Sequence, residues 1–225
     1  MTRPGDLLRL QAWFSPAFPV GAYAYSHGLE AAIEAGAVRD RHSLADWTEW
    51  LLLRGTGQVD GVFLAAAHRS APDTVRGAAL AEEARAWTGT AERAQESELQ
   101  GEAFLTTLRA AWPHPALDAL SGCLRDRPPL AVAAGFATSV HGINLKPALA
   151  CYLHAFAAMI LSAGVRLVPL GQTDGQRITS DLEQAILHAA DRAEAVSLEE
   201  LGTAAPAAEI FSIHHETQYS RIFRS

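Results

Sequence analysis

The chain predicts an all-α fold, a single helical-bundle domain. Three observations lead there. Apolar residues recur at helical spacing along most of the 225 residues. Prolines fall between these stretches and not inside them. No stretch alternates apolar and polar residues as a half-buried strand would, and no hairpin signal occurs. The spacing predicts about ten helices in one domain, with neither a fixed-period repeat nor a low-complexity linker.

Taken in order, Asp6 to Trp13 is a short opening helix. Pro16 and Pro19 then fix an extended lead-in that ends at Gly21, with Tyr23 and Tyr25 at the joint. Tyr25 to Ala35 reads as helix, with Leu29 and Ile33 on an apolar stripe, Glu30 and Glu34 one turn apart, and Gly36 as its stop. Ser43 with Asp46 resembles a capping box, and Gly55 and Gly57 interrupt the helix that follows before Val59 to Arg69 resumes it. Asp73 caps a helix to about Trp87, and Thr90 a longer one to Ala111. Pro113 and Pro115 break that helix, and a short one runs to Leu124. Pro128 and Pro129 open an apolar helix to His141. Asn144 to Lys146 leads into the central helix, which Pro169 ends. Gly171 and Gly175 bracket a loop, Gln176 to Ala195 is helical, Ser197 and Glu200 cap a turn, and Pro206 to Gln218 is the last helix.

Composition excludes several functions. Charged residues are 19% of the chain, below the usual ~25%, so either the core is large or part of the surface awaits a partner. A net charge of -7 argues against a nucleic-acid grip. Lys146 is the sole lysine and sits in NLKP, so no Walker-type phosphate loop exists. There is no GxSxG elbow, and HHETQ lacks the second histidine of HExxH. Cys123 and Cys151 read as buried free thiols. The start has no long apolar region of the signal-peptide kind, so a cytoplasmic location is expected. Ala148 to Val165 is uncharged and long enough to cross a membrane. It is rich in Ala, Ser and Gly and has no second span beside it, so it is expected to be a core helix with Tyr152, Phe156, Ile160 and Leu161 inside. An Ala155→Arg change there is expected to be severely destabilising.

Nine histidines raise a metal question. His214 and His215 are weak candidates, because adjacent helical residues point about 100° apart and rarely chelate one ion together. At the carboxy-terminal end Tyr219, Ile222 and Phe223 alternate with Arg221 and Arg224, a mixture typical of interface anchors. Composition leaves partner docking and docking on the chain's own core equally open. The expectation adopted is that residues 215–225 dock a partner and are dispensable for folding. Two other readings stand beside it: an all-α enzyme using His27 and Glu30, and a small membrane-associated helical protein.

The residue text itself points further. FSPAFPVGAYAYSHGLE at Phe14 to Glu30, VRLVPLGQTDGQR at Val165 to Arg177 and HHETQYSRIFRS at His214 to Ser225 resemble, in order, three signatures of the urease accessory protein F family (UreF). ERAQESELQGEAFL at Glu92 to Leu105 is a looser fourth match. Ala22 and Ala24 stand where many family members have Gly and Ser. The resemblance implies a non-enzymatic, homodimeric maturation factor that binds the accessory protein UreD/UreH and the GTPase UreG to deliver nickel to apo-urease. No tightly bound cofactor, nucleic acid or membrane is implied, and nickel would only be in transit. The tail is implied in binding UreD/UreH, and Glu30 belongs to a surface linked to the GTPase. The partner-binding candidates are therefore Tyr25, Ser26, Glu30, Gln172, Gln176, Arg177, Glu216, Gln218, Tyr219, Ser220, Arg221, Phe223 and Arg224.

Overall fold

Side-chain caps set several helix starts. Asp40 accepts from the Ser43 N–H at 2.9 Å while Ser43 Oγ accepts from the Asp40 N–H at 3.1 Å, a reciprocal box that opens α3 (Arg41–Arg54). The box lies one turn earlier than the Ser43–Asp46 reading, because Asp40 is the residue in extended conformation. Asp73 caps α5 (Thr74–Ala86) and Thr90 caps α6 (Ala91–Ala111), both as expected. The structure, a computed structural model describing residues 2–225, contains twelve α-helices and two single-turn 3-10 segments, with no strand among the described residues. The other helices are α1 (Pro4–Trp13), α2 (Leu29–Glu34), α4 (Thr56–Ser70), α7 (Pro115–Cys123), α8 (Leu130–Val140), α9 (Leu145–Leu167), α10 (Gln172–Asp181), α11 (Glu183–Ala195) and α12 (Pro206–Glu216).

At the centre α4 crosses α8, a helix of small residues. The two backbones meet so closely that a Cβ on Gly135 would overlap the Leu64 carbonyl oxygen. Around this pair pack α3, α5, α9 and α11. A satellite aromatic cluster seats the amino-terminal segment. Trp13, Phe14 and Phe18 surround Phe104 of α6 with ring centroids 6.4, 6.2 and 5.2 Å away.

The central helix meets its expectation on one face only. Tyr152, Phe156, Ile160 and Leu161 are buried, each worth roughly 1.5–3 kcal/mol relative to exposure. Its opposite face carries exposed His154, Ser162 and Arg166, and half-buried Ala155 lines a groove. Ala155 is thus not an interior position, and the severe effect expected of an arginine there does not follow. α9 is the one helix among the described residues long and apolar enough to cross a membrane.

Three local readings are corrected. The segment Tyr25 to Gly28 is not helical: His27 at φ 57° and Gly28 at φ 73° turn the chain left-handed, and α2 starts only at Leu29. A Cβ on Gly28 would lie 2.7 Å from the Ser212 nitrogen, so close packing against α12 also requires glycine there. Gly175 does not bound a loop. It lies inside α10, where the Gly171 N–H donates to the Asp174 carboxylate at 3.4 Å and a Cβ on Gly175 would meet Val165 at 3.1 Å. Both cysteines are free, but Cys123 is exposed and Cys151 only half-buried.

Candidate functional site

The left-handed turn at His27–Gly28 directs Ser26 and Glu30 into the molecule, and both are buried. What they meet is the carboxy-terminal segment. The Ser26 N–H donates to the Ser225 carbonyl at 2.7 Å, and the Arg224 N–H donates to the Ala24 carbonyl at 2.8 Å. The Glu30 carboxylate accepts the N–H groups of Ile222 at 2.8 Å and Phe223 at 2.9 Å. Two backbone donors on one buried carboxylate are charge-assisted bonds, among the stronger ones a protein makes.

The long helix α6 supplies the opposing wall. Glu92, Glu96 and Gln100 recur every four residues and so share a face. Glu92 pairs with Arg221 and with His215 Nδ1 at 2.7 Å, while His215 Nε2 lies 3.3 Å from Glu30. Glu96 accepts from the Ser225 hydroxyl at 2.7 Å and Gln100 Nε2 at 3.0 Å, and lies 2.6 Å from His27 Nε2. Burial pushes the Glu96 carboxyl upward, opposed by Arg93, Ser225 and Gln100. One layer deeper, Tyr152 donates to Asp60 at 2.7 Å. Burial raises Asp60 to about 7 and the Tyr152 hydroxyl well above its ordinary value.

This seam revises the tail reading. Phe223 and Ser225 are buried, and the Arg166 guanidinium stacks 4.5 Å from the Phe223 ring centroid. The tail docks on its own core through these bonds. Tyr25, Ser26, Glu30 and Phe223 are inward-facing holders of that tail and not a free partner surface, because each is covered by the chain's own segments. Glu216, Tyr219, Ser220, Arg221, Arg224, Gln172, Gln176 and Arg177 remain exposed, and Gln218 is half-buried. Arg177 pairs with Asp174 at 3.0 Å. Beside the tail, Ile210 and Ile213 of α12 are half-exposed, Ile222 is 74% exposed and Tyr219 entirely so. Each presents apolar surface to solvent.

The two histidines weighed for metal part company. His214 is exposed, whereas His215 is wholly buried between Glu30 and Glu92. No group of three metal-ligating side chains occurs among the described residues. His27 and Glu30, the pair of the enzyme reading, are not brought together: one serves Glu96 and the other the tail. The residues missed from sequence are Asp60, Glu92, Arg93, Glu96, Gln100 and Tyr152. The signal for three of them was the i, i+4, i+8 row of Glu92, Glu96 and Gln100 on one helix face.

The UreF family profile matches residues 38–183. The urease accessory protein UreF of Rhodopseudomonas palustris (strain BisB5) is 48% identical, covering 98% of this chain and 91% of that one. That of Granulibacter bethesdensis is 48% identical over 100% of this chain and 96% of its own. That of Bradyrhizobium diazoefficiens is 43% identical over 97% and 91%. With a matching profile over more than half the chain and likeness along nearly its whole length, the chain belongs to the UreF family of urease accessory proteins.

Proposed function

We propose that this chain is a non-catalytic scaffold of urease maturation. As a cytoplasmic homodimer it joins UreD/UreH and the GTPase UreG in a complex that delivers nickel to apo-urease. Family membership supports the maturation role. The observation that carries a docking role is the exposure of Ile210, Ile213, Tyr219 and Ile222 on and beside a tail that the buried seam anchors. Large apolar and aromatic side chains exposed on a fixed frame are interface anchors without the ordering entropy of a loose tail. UreD/UreH is the partner for these side chains. The exposed Gln172, Gln176 and Arg177 on α10 are open to a further partner of the complex. Nickel is cargo here: of the candidate pair only His214 is free to touch it, so any site on this chain alone is weak and transient.

The test is a Tyr219→Ala, Ile222→Ser double variant, compared with the parent by thermal melting and by co-purification with UreD/UreH. Both side chains face outward, so melting should be unchanged and partner retention lost. A double variant that retains the partner and supports urease activation removes these side chains from the interface. Light scattering of the pure chain tests the dimer. Equilibrium dialysis tests nickel, and near-nanomolar affinity would contradict transit.

A further inference from the structure

Arg93 lies in the first turn of α6, with its side chain 12% exposed. Its Nε is wholly buried and has no hydrogen-bond partner among the described residues. The adjacent carboxylate, Glu96, is 3.7 Å away, beyond hydrogen-bonding range. Both Glu96 oxygens are already engaged, Oε1 by His27 and Gln100 and Oε2 by Ser225. His27, with a side chain 4% exposed, has its own orphan, a buried Nδ1 without partner. Buried polar groups are normally satisfied, so two orphans together call for a guest. Both residues and Ser97 line a cavity of about 70 Å³ beneath the link from Trp87 to Thr90, and all three also line the larger groove beside α9.

We propose that this cavity receives a small planar oxyanion, a carboxylate or hydrogencarbonate, with Arg93 as its anchoring fork and Ser97 and His27 Nδ1 as secondary partners. Arg93 offers only donors, so its guest must be rich in acceptors, and a guanidinium matches a planar carboxylate edge to edge. Its charge also disfavours a cation. Two other acids border the cavity. Asp60 is held by the Tyr152 hydroxyl and raised to about 7, so near neutrality it carries only part of a charge. Glu209 is at the exposed rim. His27 meets Glu96 through Nε2. Its Nδ1 therefore either accepts the O–H of hydrogencarbonate or, on the protonated ring, donates to any carboxylate.

The experiment follows arginine Nε–H resonances of the 15N-labelled full chain. Sodium hydrogencarbonate or sodium acetate replaces chloride at constant pH and ionic strength. One resonance should move saturably, and Arg93→Gln should abolish that response. Arg93→Lys, which keeps charge but loses the fork, should weaken it roughly tenfold. Arg39→Gln, an exposed control, should leave it unchanged. A response to hydrogencarbonate stronger than that to acetate identifies His27 Nδ1 as the acceptor of the O–H; equal responses exclude that role and leave Arg93, with or without a donating His27, as the anchor. Should Arg93→Gln unfold, the parent titration still decides, and Ser97→Val should weaken binding about threefold. The proposal is overturned by the absence of a saturable shift in the parent up to about 100 mM anion. An undiminished response in a folded Arg93→Gln variant, or a shift produced by magnesium chloride instead, also overturns it.

Discussion

Replacing Glu30 with glutamine tests the clamp on the tail with almost no change in volume. In the parent, one carboxylate oxygen accepts the Ile222 N–H and the other the Phe223 N–H. Glutamine retains one acceptor, without charge, and turns its amide N–H₂ toward the second N–H. One charge-assisted bond becomes neutral, and the other becomes a donor facing a donor. Hydrogen bonds to charged groups contribute about 1.5–3 kcal/mol each, and a buried orphan costs about 1–3 kcal/mol. The sum is roughly 3 kcal/mol against tail docking. At 1.4 kcal/mol per tenfold, local opening should rise about 100-fold. The assay is amide hydrogen exchange at Ile222 and Phe223, with trypsin cleavage after Arg221 and Arg224 as a second readout. Core amides of α4 and α8 should change far less, because the tail can open by itself. Tail exchange accelerated by less than about threefold, or a uniform loss of protection across all helices, refutes the clamp.

Three further outcomes follow from the same geometry. Deleting residues 218–225 should lower the melting temperature, since the buried Phe223 ring is lost and Glu30, Ser26 and Glu96 lose their partners; a deletion that melts like the parent contradicts the seam. Asp60→Asn should remove a pH dependence: the Asp60 carboxyl, raised to about 7, favours the fold while protonated. Parent stability relative to the variant should therefore fall as pH rises from about 4 toward 7 and level off above, as denaturation midpoints would report. Ala155→Arg should cost under about 1 kcal/mol, whereas Gly135→Ala should cost roughly 3 kcal/mol or more, because the added carbon meets α4 backbone and not a movable side chain; reversed melting shifts would place the core elsewhere.

Much of the fold was legible because its punctuation is local. Thr90, Asp73 and the proline pairs mark helix boundaries by what each does to its own backbone, and α6 and α9 follow from them. Residues 25–28 were not legible in this way. Their spacing is helical, but the bonds of Ser26 and Glu30 go to residues almost 200 positions away, and such long-range demands override local propensity. Gly175 misled for a related reason: only its approach to Val165 distinguishes a packing glycine from a loop glycine. The site was half legible. The text of the tail marked it as special, but composition gives no direction, and the difference between Phe223 facing in and Ile222 facing out is set by Glu30 gripping two consecutive N–H groups. Asp60 gave no signal beyond its residue type, and Arg93 only its place in the loosely matching tract of residues 92–105, since burial of a charge emerges only when several helices close over it.

The bond between Ser26 and Ser225 spans 199 positions. During synthesis at about 5–20 residues per second, the amino-terminal turn therefore exists for roughly 10–40 seconds before the residues that satisfy it are made. Through that interval the Ser26 and Glu30 polar groups have no partner, and the segment carrying them cannot settle on α6. Folding of this region therefore waits until residues 222–225 have been made, whichever helices have formed by then. Each codon that slows the ribosome between the amino-terminal turn and residue 225 lengthens the time in which Ser26 and Glu30 lack these partners, so abundance of this protein should respond to synonymous changes there that leave its finished structure untouched.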